Sequence, residues 1–147
     1  MIAVDTNILV YAHRGDSPFH AVAERRVREL AQGRRPWAVP WPCIHEFVAV
    51  VTRPRIYDPP TPLAEALQQV DFWLEAPTLT LLSEADNYWA QLRDLITVAK
   101  IVGGQVHDAR IAALCRQHGV SELWSADRDF SRFPQLRVLN PLLGVPD

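Results

Sequence analysis

The chain has one lysine, one methionine and two cysteines in 147 residues, and each shortage removes a class of explanation. Cys43 and Cys115 stand far apart, without a CxxC pair or histidines at metal-ligand spacing. That excludes a zinc site and a disulfide scaffold, and both read as core thiols of a reduced protein. No apolar run approaches the roughly 20 residues that cross a bilayer, and no basic stretch leads into an apolar segment closed by small residues. The expected location is the cytoplasm, away from any membrane. A GxGxxG turn is missing after the first apolar segment, which removes dinucleotide binding. Internal repeats and low-complexity segments are also missing.

A large excess of either charge is missing too. A net charge of −2 is not the signature of a strongly basic nucleic-acid binder. Yet fourteen of the fifteen basic residues are arginine, whose planar fork grips phosphate through two hydrogen bonds, so a local patch would count for more than the total. A genome-wide base-composition bias produces the same excess, and the arginines alone decide nothing.

What is present is 48% apolar residue content, enough for one core and too little chain for two, so residues 1–147 are expected to form a single domain. "IAV" and "WAVP" read as short buried strands, and "TLTLL" as a third. "LW" within "SELWSADRDF" gives a fourth, with a fifth in "LRVLNP" at the edge. Helices fall between them. One resumes near Ser17 with Phe19, Val22, Ala23, Val27 and Leu30 at helical spacing, and one runs from Pro42 to before Pro54 with Ile44, Phe47, Val48 and Val51 inward. The next places Leu67, Val70 and Leu74 inward, another opens on a Ser83 cap, and "VHDARIAALCRQHG" ends at Gly119. "RPRIYDPPTP", with four prolines, is loop. Apolar strands alternating with amphipathic helices predict an α/β fold: a central, mostly parallel sheet of four to five strands with helices on both faces.

The acids fall at telling places. Asp5 follows the first strand directly, where its carboxylate either caps the next helix or faces a ligand beyond the strand end. Asp127 and Asp129 follow the fourth strand, Asp108 opens a helix after Gly103 and Gly104, and Glu46 interrupts an apolar helix beside Phe47. Several carboxylates within a few ångströms cannot all ionise near neutrality without a cation, since each raises the pKa of the others. An oxygen-only set suits Mg²⁺ or Mn²⁺.

Four stretches, "VDTNILVYA", Glu46 within its apolar helix, "HDARIAALCRQHG" and "LWSADRDF", resemble in this order the PIN-domain ribonucleases, and above all the VapC-type toxins of bacterial toxin–antitoxin pairs. The resemblance implies a PIN-like domain in which Asp5, Glu46, Asp108 and Asp127 form an acidic quartet, with Asp5 and Asp108 as direct metal ligands. Thr6, Asn7 and Ser125 match positions that orient the acids or the attacking water. The late motif also fits Asp129, which stands either as a helper or as the fourth acid in place of Asp127. The implied chemistry is Mg²⁺-dependent hydrolysis of phosphodiester bonds in tRNA or ribosomal RNA by metal-activated water, with Mn²⁺ as an alternative ion. Implied partners are a cognate antitoxin, whose apolar helix would lie in a groove walled by the helices around Phe19–Leu30 and Cys43–Val51, and a second copy of the chain in a homodimer.

Arg14, Arg110 and Arg128 lie within a few residues of an acid, as phosphate contacts or as plain surface arginines. His13, His45 and His107 neighbour the acids either as a general acid or as bystanders, and Trp37 and Trp41 fit core or interface. Two competing functions remain. An aspartyl phosphatase needs a second acid where Asn7 stands, and a catalytically silent PIN-like module would bind RNA or protein without cutting.

Overall fold

Residue 1 to residue 144 are described by the computed structural model, in which five short parallel strands form one sheet. These are β1 (Ile2–Val4), β2 (Trp37–Pro40), β3 (Leu79–Leu82), β4 (Glu122–Trp124) and β5 (Val138–Leu139). The sheet order is β3-β2-β1-β4-β5, with Ala3 opposite Ala38 on one side and opposite Leu123 on the other. Parallel strands need a crossover each time, and six helices supply the first three: α1 (Thr6–His13), α2 (His20–Gln32), α3 (Trp41–Val51), α4 (Leu63–Leu74), α5 (Tyr88–Ala99) and α6 (Val106–Gln117), while a single 3-10 turn at Arg128–Arg132 links β4 to β5. Val4, Ala38, Val39 and Leu123 are essentially sealed from solvent, as expected of strands covered on both faces. The expected single α/β domain with a parallel sheet is therefore the observed architecture, and the edge strand falls where "LRVLNP" placed it.

Three elements depart from expectation. α4 turns Ala66, Val70 and Trp73 inward and leaves Leu67 and Leu74 exposed. The large ring decides this phase, because Trp73 packs edge-on against Phe47 of α3 with centroids 4.8 Å apart. α5 begins at Tyr88 instead of at Ser83, after Asn87 at φ 66°. Residues 83–86 are held by the end of α6: Gln117 bonds the Ala85 N–H and the Asp86 carbonyl, and His118 bonds the Ser83 carbonyl. α2 likewise starts at His20, because Ser17 closes a turn on the Phe19 N–H at 3.1 Å. Gly119 does end α6, at φ +65°. Trp37, Cys43 and Cys115 lie in the core. No helix among the described residues is long and apolar enough to cross a membrane.

Candidate active site

Strand order reverses between β1 and β4, and a crevice opens beyond their carboxyl ends, the usual ligand position in such sheets. The cavity there has a volume of about 720 Å³, and Asp5, Glu46, Asp108 and Asp127 all line it. Four different elements deliver them. Asp5 ends β1, Glu46 lies in α3 after its Pro42-containing first turn, Asp108 occupies the first turn of α6, and Asp127 follows β4.

Asp5 is the buried anchor, 7% exposed. Its Oδ1 accepts from the Thr6 N–H at 2.8 Å and from the Cys43 thiol at 3.6 Å, while its Oδ2 accepts from Ser125 Oγ at 2.7 Å and from Asn7 Nδ2 at 3.4 Å. Helix cap and site acid are thus one residue in one conformation, and a ligand on Asp5 would take the place of the longer Cys43 or Asn7 contact. Ser125 Oγ also accepts from the Asp127 N–H at 3.0 Å, and Asn7 Oδ1 accepts from the Ala126 N–H at 3.1 Å, so Asn7 and Ser125 tie the ends of β1 and β4 together. Thr6 Oγ1 donates to Glu46 Oε2 at 3.0 Å, fixing one oxygen of an otherwise exposed side chain.

Asp127 Oδ1 accepts from the Asp129 N–H at 2.8 Å. That turn brings Asp129 round, and one carboxylate oxygen each from Asp108, Asp127 and Asp129 lies within 4.8 Å of the others. Asp129, expected as a helper, therefore shares the tightest group of acids.

No arginine or lysine forms an ion pair with any of these five acids among the described residues. The cost is visible in their ionisation. Partial burial, with the charges of Asp127, Asp5, Asp129 and Glu46, pushes Asp108 up to about 6. Burial also raises Asp5, against the hydrogen bonds from Ser125, Thr6 and Cys43. A close group of carboxylate oxygens with no ion-paired cation and no histidine or thiolate among its members is the chemistry of a hard divalent cation site, and the residues present fit one.

The remaining candidates separate. Arg110, His45 and His107 line the cavity; Arg128 lies exposed just beyond Asp127. Arg14 and His13 do not line it. His13 bonds Gln69 and Thr61, and Arg14 holds Asp16 and Thr61. Sequence reading missed Cys43 as a donor to Asp5, and it missed Tyr11 and Tyr57 in the cavity wall.

Over residues 2–136 the sequence matches the family described as PIN domain. The chain belongs to the PIN-domain family. Within it, the chain is similar to ribonuclease VapC43 of Mycobacterium tuberculosis, 37% identical over 144 residues that cover 98% of this chain and 97% of that one. Among solved structures, the VapBC2 complex of Rickettsia felis bound to a promoter DNA fragment superposes at a TM-score of 0.66, with 20% identity over 95% of this chain and 98% of that one. Mycobacterium tuberculosis VapC20, described as a sarcin-ricin loop cleaving toxin, superposes at 0.66, with 16% identity over 89% and 93%. Within that family the chain groups with the ribonucleases named VapC, several of which are 31–37% identical to it over nearly its whole length.

Proposed function

We propose that the chain hydrolyses a phosphodiester bond in a single-stranded loop of tRNA or ribosomal RNA, using Mg²⁺ or Mn²⁺ held by Asp5, Asp108 and Asp127. The observation that carries this reading is the convergence of acids from four elements on one cavity, none of them ion-paired to an arginine or lysine among the described residues. When bound, the cation supplies Lewis-acid stabilisation of charge on the phosphoryl oxygens and makes a neighbouring water more acidic. Glu46 Oε1, outside the Thr6 bond, accepts the proton of the attacking water. Asp129 adds a second acceptor at the rim, and Arg110 approaches the phosphate from the wall of the cavity. Water is the nucleophile in this reading, because Cys43, the thiol nearest Asp5, is fully buried and its pKa is pushed well above the ordinary thiol range by that burial. Exposed loops suit such a site, since their backbone is reachable and their bases are splayed, and the loop-cleaving description of the VapC20 neighbour agrees with that choice.

The expected outcome is RNA cleavage that requires Mg²⁺ or Mn²⁺, stops with chelator, and falls by about 10² or more in Asp5→Asn and Asp108→Asn. Cleavage that persists with chelator, or at full rate in both variants, would reject the mechanism. Binding without any cutting would favour the silent PIN-like module.

Two surfaces suit the expected protein partners. A groove of about 590 Å³ lies among α1, α2 and α4, with Val27, Ala31, Phe72 and Trp73 as apolar lining and Glu24, Arg28 and Glu65 among its polar residues. It is our candidate seat for an apolar antitoxin helix. α4 replaces α3 as the second main wall, because α3 spends its apolar side, Cys43, Ile44, Phe47 and Val51, on the core. Leu63, Leu67 and Leu74 form an exposed stripe on α4 and are our candidate homodimer contact.

A further inference from the structure

The cavity is much larger than its acids require. Its volume of about 720 Å³ is the size of a small-molecule site; a cation with a few waters, at roughly 30 Å³ per water, fills only part of it. Away from the carboxylates, the wall is made by Val10 and Tyr11 of α1, Ala49 and Val50 of α3, and Tyr57 of the loop before α4. One space thus has an anionic end and an apolar, aromatic end.

Tyr57 is a braced ring. The Arg14 guanidinium carbon sits 4.3 Å from its centroid. Arg14 is itself fixed: Nε and Nη2 donate to the two oxygens of Asp16 at 2.9 and 2.6 Å, and Nη1 donates to Thr61 Oγ1 at 3.2 Å. The backbone on either side is tied down too, by Tyr57 N–H to the Arg53 carbonyl at 3.2 Å and Thr61 N–H to the Val51 carbonyl at 2.8 Å. Arg14 therefore has all three nitrogens engaged and only 11% of its side chain exposed, which suits a support and not a phosphate ligand. Tyr11 is similarly backed by Phe19, with centroids 5.2 Å apart.

We infer that the aromatic end of the cavity is a nucleobase subsite, in which Tyr57 stacks one unpaired base beside the phosphate to be cut and Arg14 is the positioning residue that holds the ring. The inference rests on the reading of the acids as an RNA-cleaving site. Phosphate held at the acid end leaves its neighbouring base within the same cavity, and every base has a π face to offer an immobilised ring. The subsite accordingly strengthens binding and sets register for single-stranded RNA without selecting one base.

The test uses full-length Asp108→Asn with chelator present, conditions under which the proposed function predicts that RNA stays uncut during the titration, and two probes, single-stranded hexauridylate and an abasic hexamer with the same ribose-phosphate backbone. Fluorescence anisotropy is expected to show hexauridylate bound about ten-fold more tightly than the abasic hexamer. Adding Tyr57→Ala erases that ratio while abasic binding stays the same, Tyr57→Trp preserves it, and Arg14→Gln lowers it. A variant that merely misfolds loses both probes, so the ratio isolates stacking. Equal binding of the two probes by Asp108→Asn, or an unchanged ratio after Tyr57→Ala, overturns the subsite. Failure of the nuclease reading is seen separately, as absence of Mn²⁺-dependent RNA cleavage by the unaltered protein.

Discussion

At the scale of single residues, the site depends on a few buried hydrogen bonds that let acids approach one another. Ser125, 2% exposed, bonds both Asp5 and the Asp127 backbone. Ser125→Ala leaves both partners short of a bond, and it is expected to cost about 1–3 kcal/mol in chemical denaturation and to lower RNA cleavage. Asp108 gives a pH signature. Its folded pKa of about 6 lies above the ordinary 3.8, so the folded state binds more protons than the unfolded state between those values. Stability of the metal-free protein from this group therefore falls as pH rises from 4 to 6 and stays lower above it. Thermal melts with chelator should show Asp108→Asn gaining on the unaltered protein as pH rises through that window, and losing the stabilisation that Mn²⁺ gives at pH 7.5. A constant difference across the window contradicts this. The acids were legible in sequence because each follows a strand, opens a helix or interrupts an apolar face. Tyr57 was not: proline loops carry no periodicity, and nothing local shows that Arg14 lies over the ring.

At the scale of elements, α4 shows where apolar spacing is informative and where it stops. Leucines at 63, 67 and 74 and the inward set of Ala66, Val70 and Trp73 occupy adjoining stripes of one helix, and spacing cannot rank them. Packing ranks them, since Trp73 finds Phe47. Trp73→Ala should cost about 3–5 kcal/mol by denaturant unfolding, whereas Leu67→Ala should cost less than about 1 kcal/mol in the monomer. Leu67→Glu should then lower the sedimentation mass if the leucine stripe meets a second copy. An unchanged mass would place the homodimer contact elsewhere or deny it. The strands were easy to read because short apolar runs between helical patterns have few alternatives. Ser83 was not, because the α6 side chains that hold residues 83–86 come from more than 30 residues later in sequence.

At the scale of the whole molecule, the topology joins what the sequence separates. Asp5 and Asp127 lie more than 120 positions apart, yet β1 and β4 are neighbours, and one serine spans their ends. Reversal of strand order at that seam leaves the opening into which α3 and α6 bring Glu46 and Asp108. The central claim is that these acids share one divalent cation. Crystals soaked in Mn²⁺ and measured at its absorption edge test it most directly. The expected result is an anomalous peak among the carboxylates of Asp5, Asp108 and Asp127, absent in Asp108→Asn; no peak in that cavity, or one confined to another surface, would contradict it.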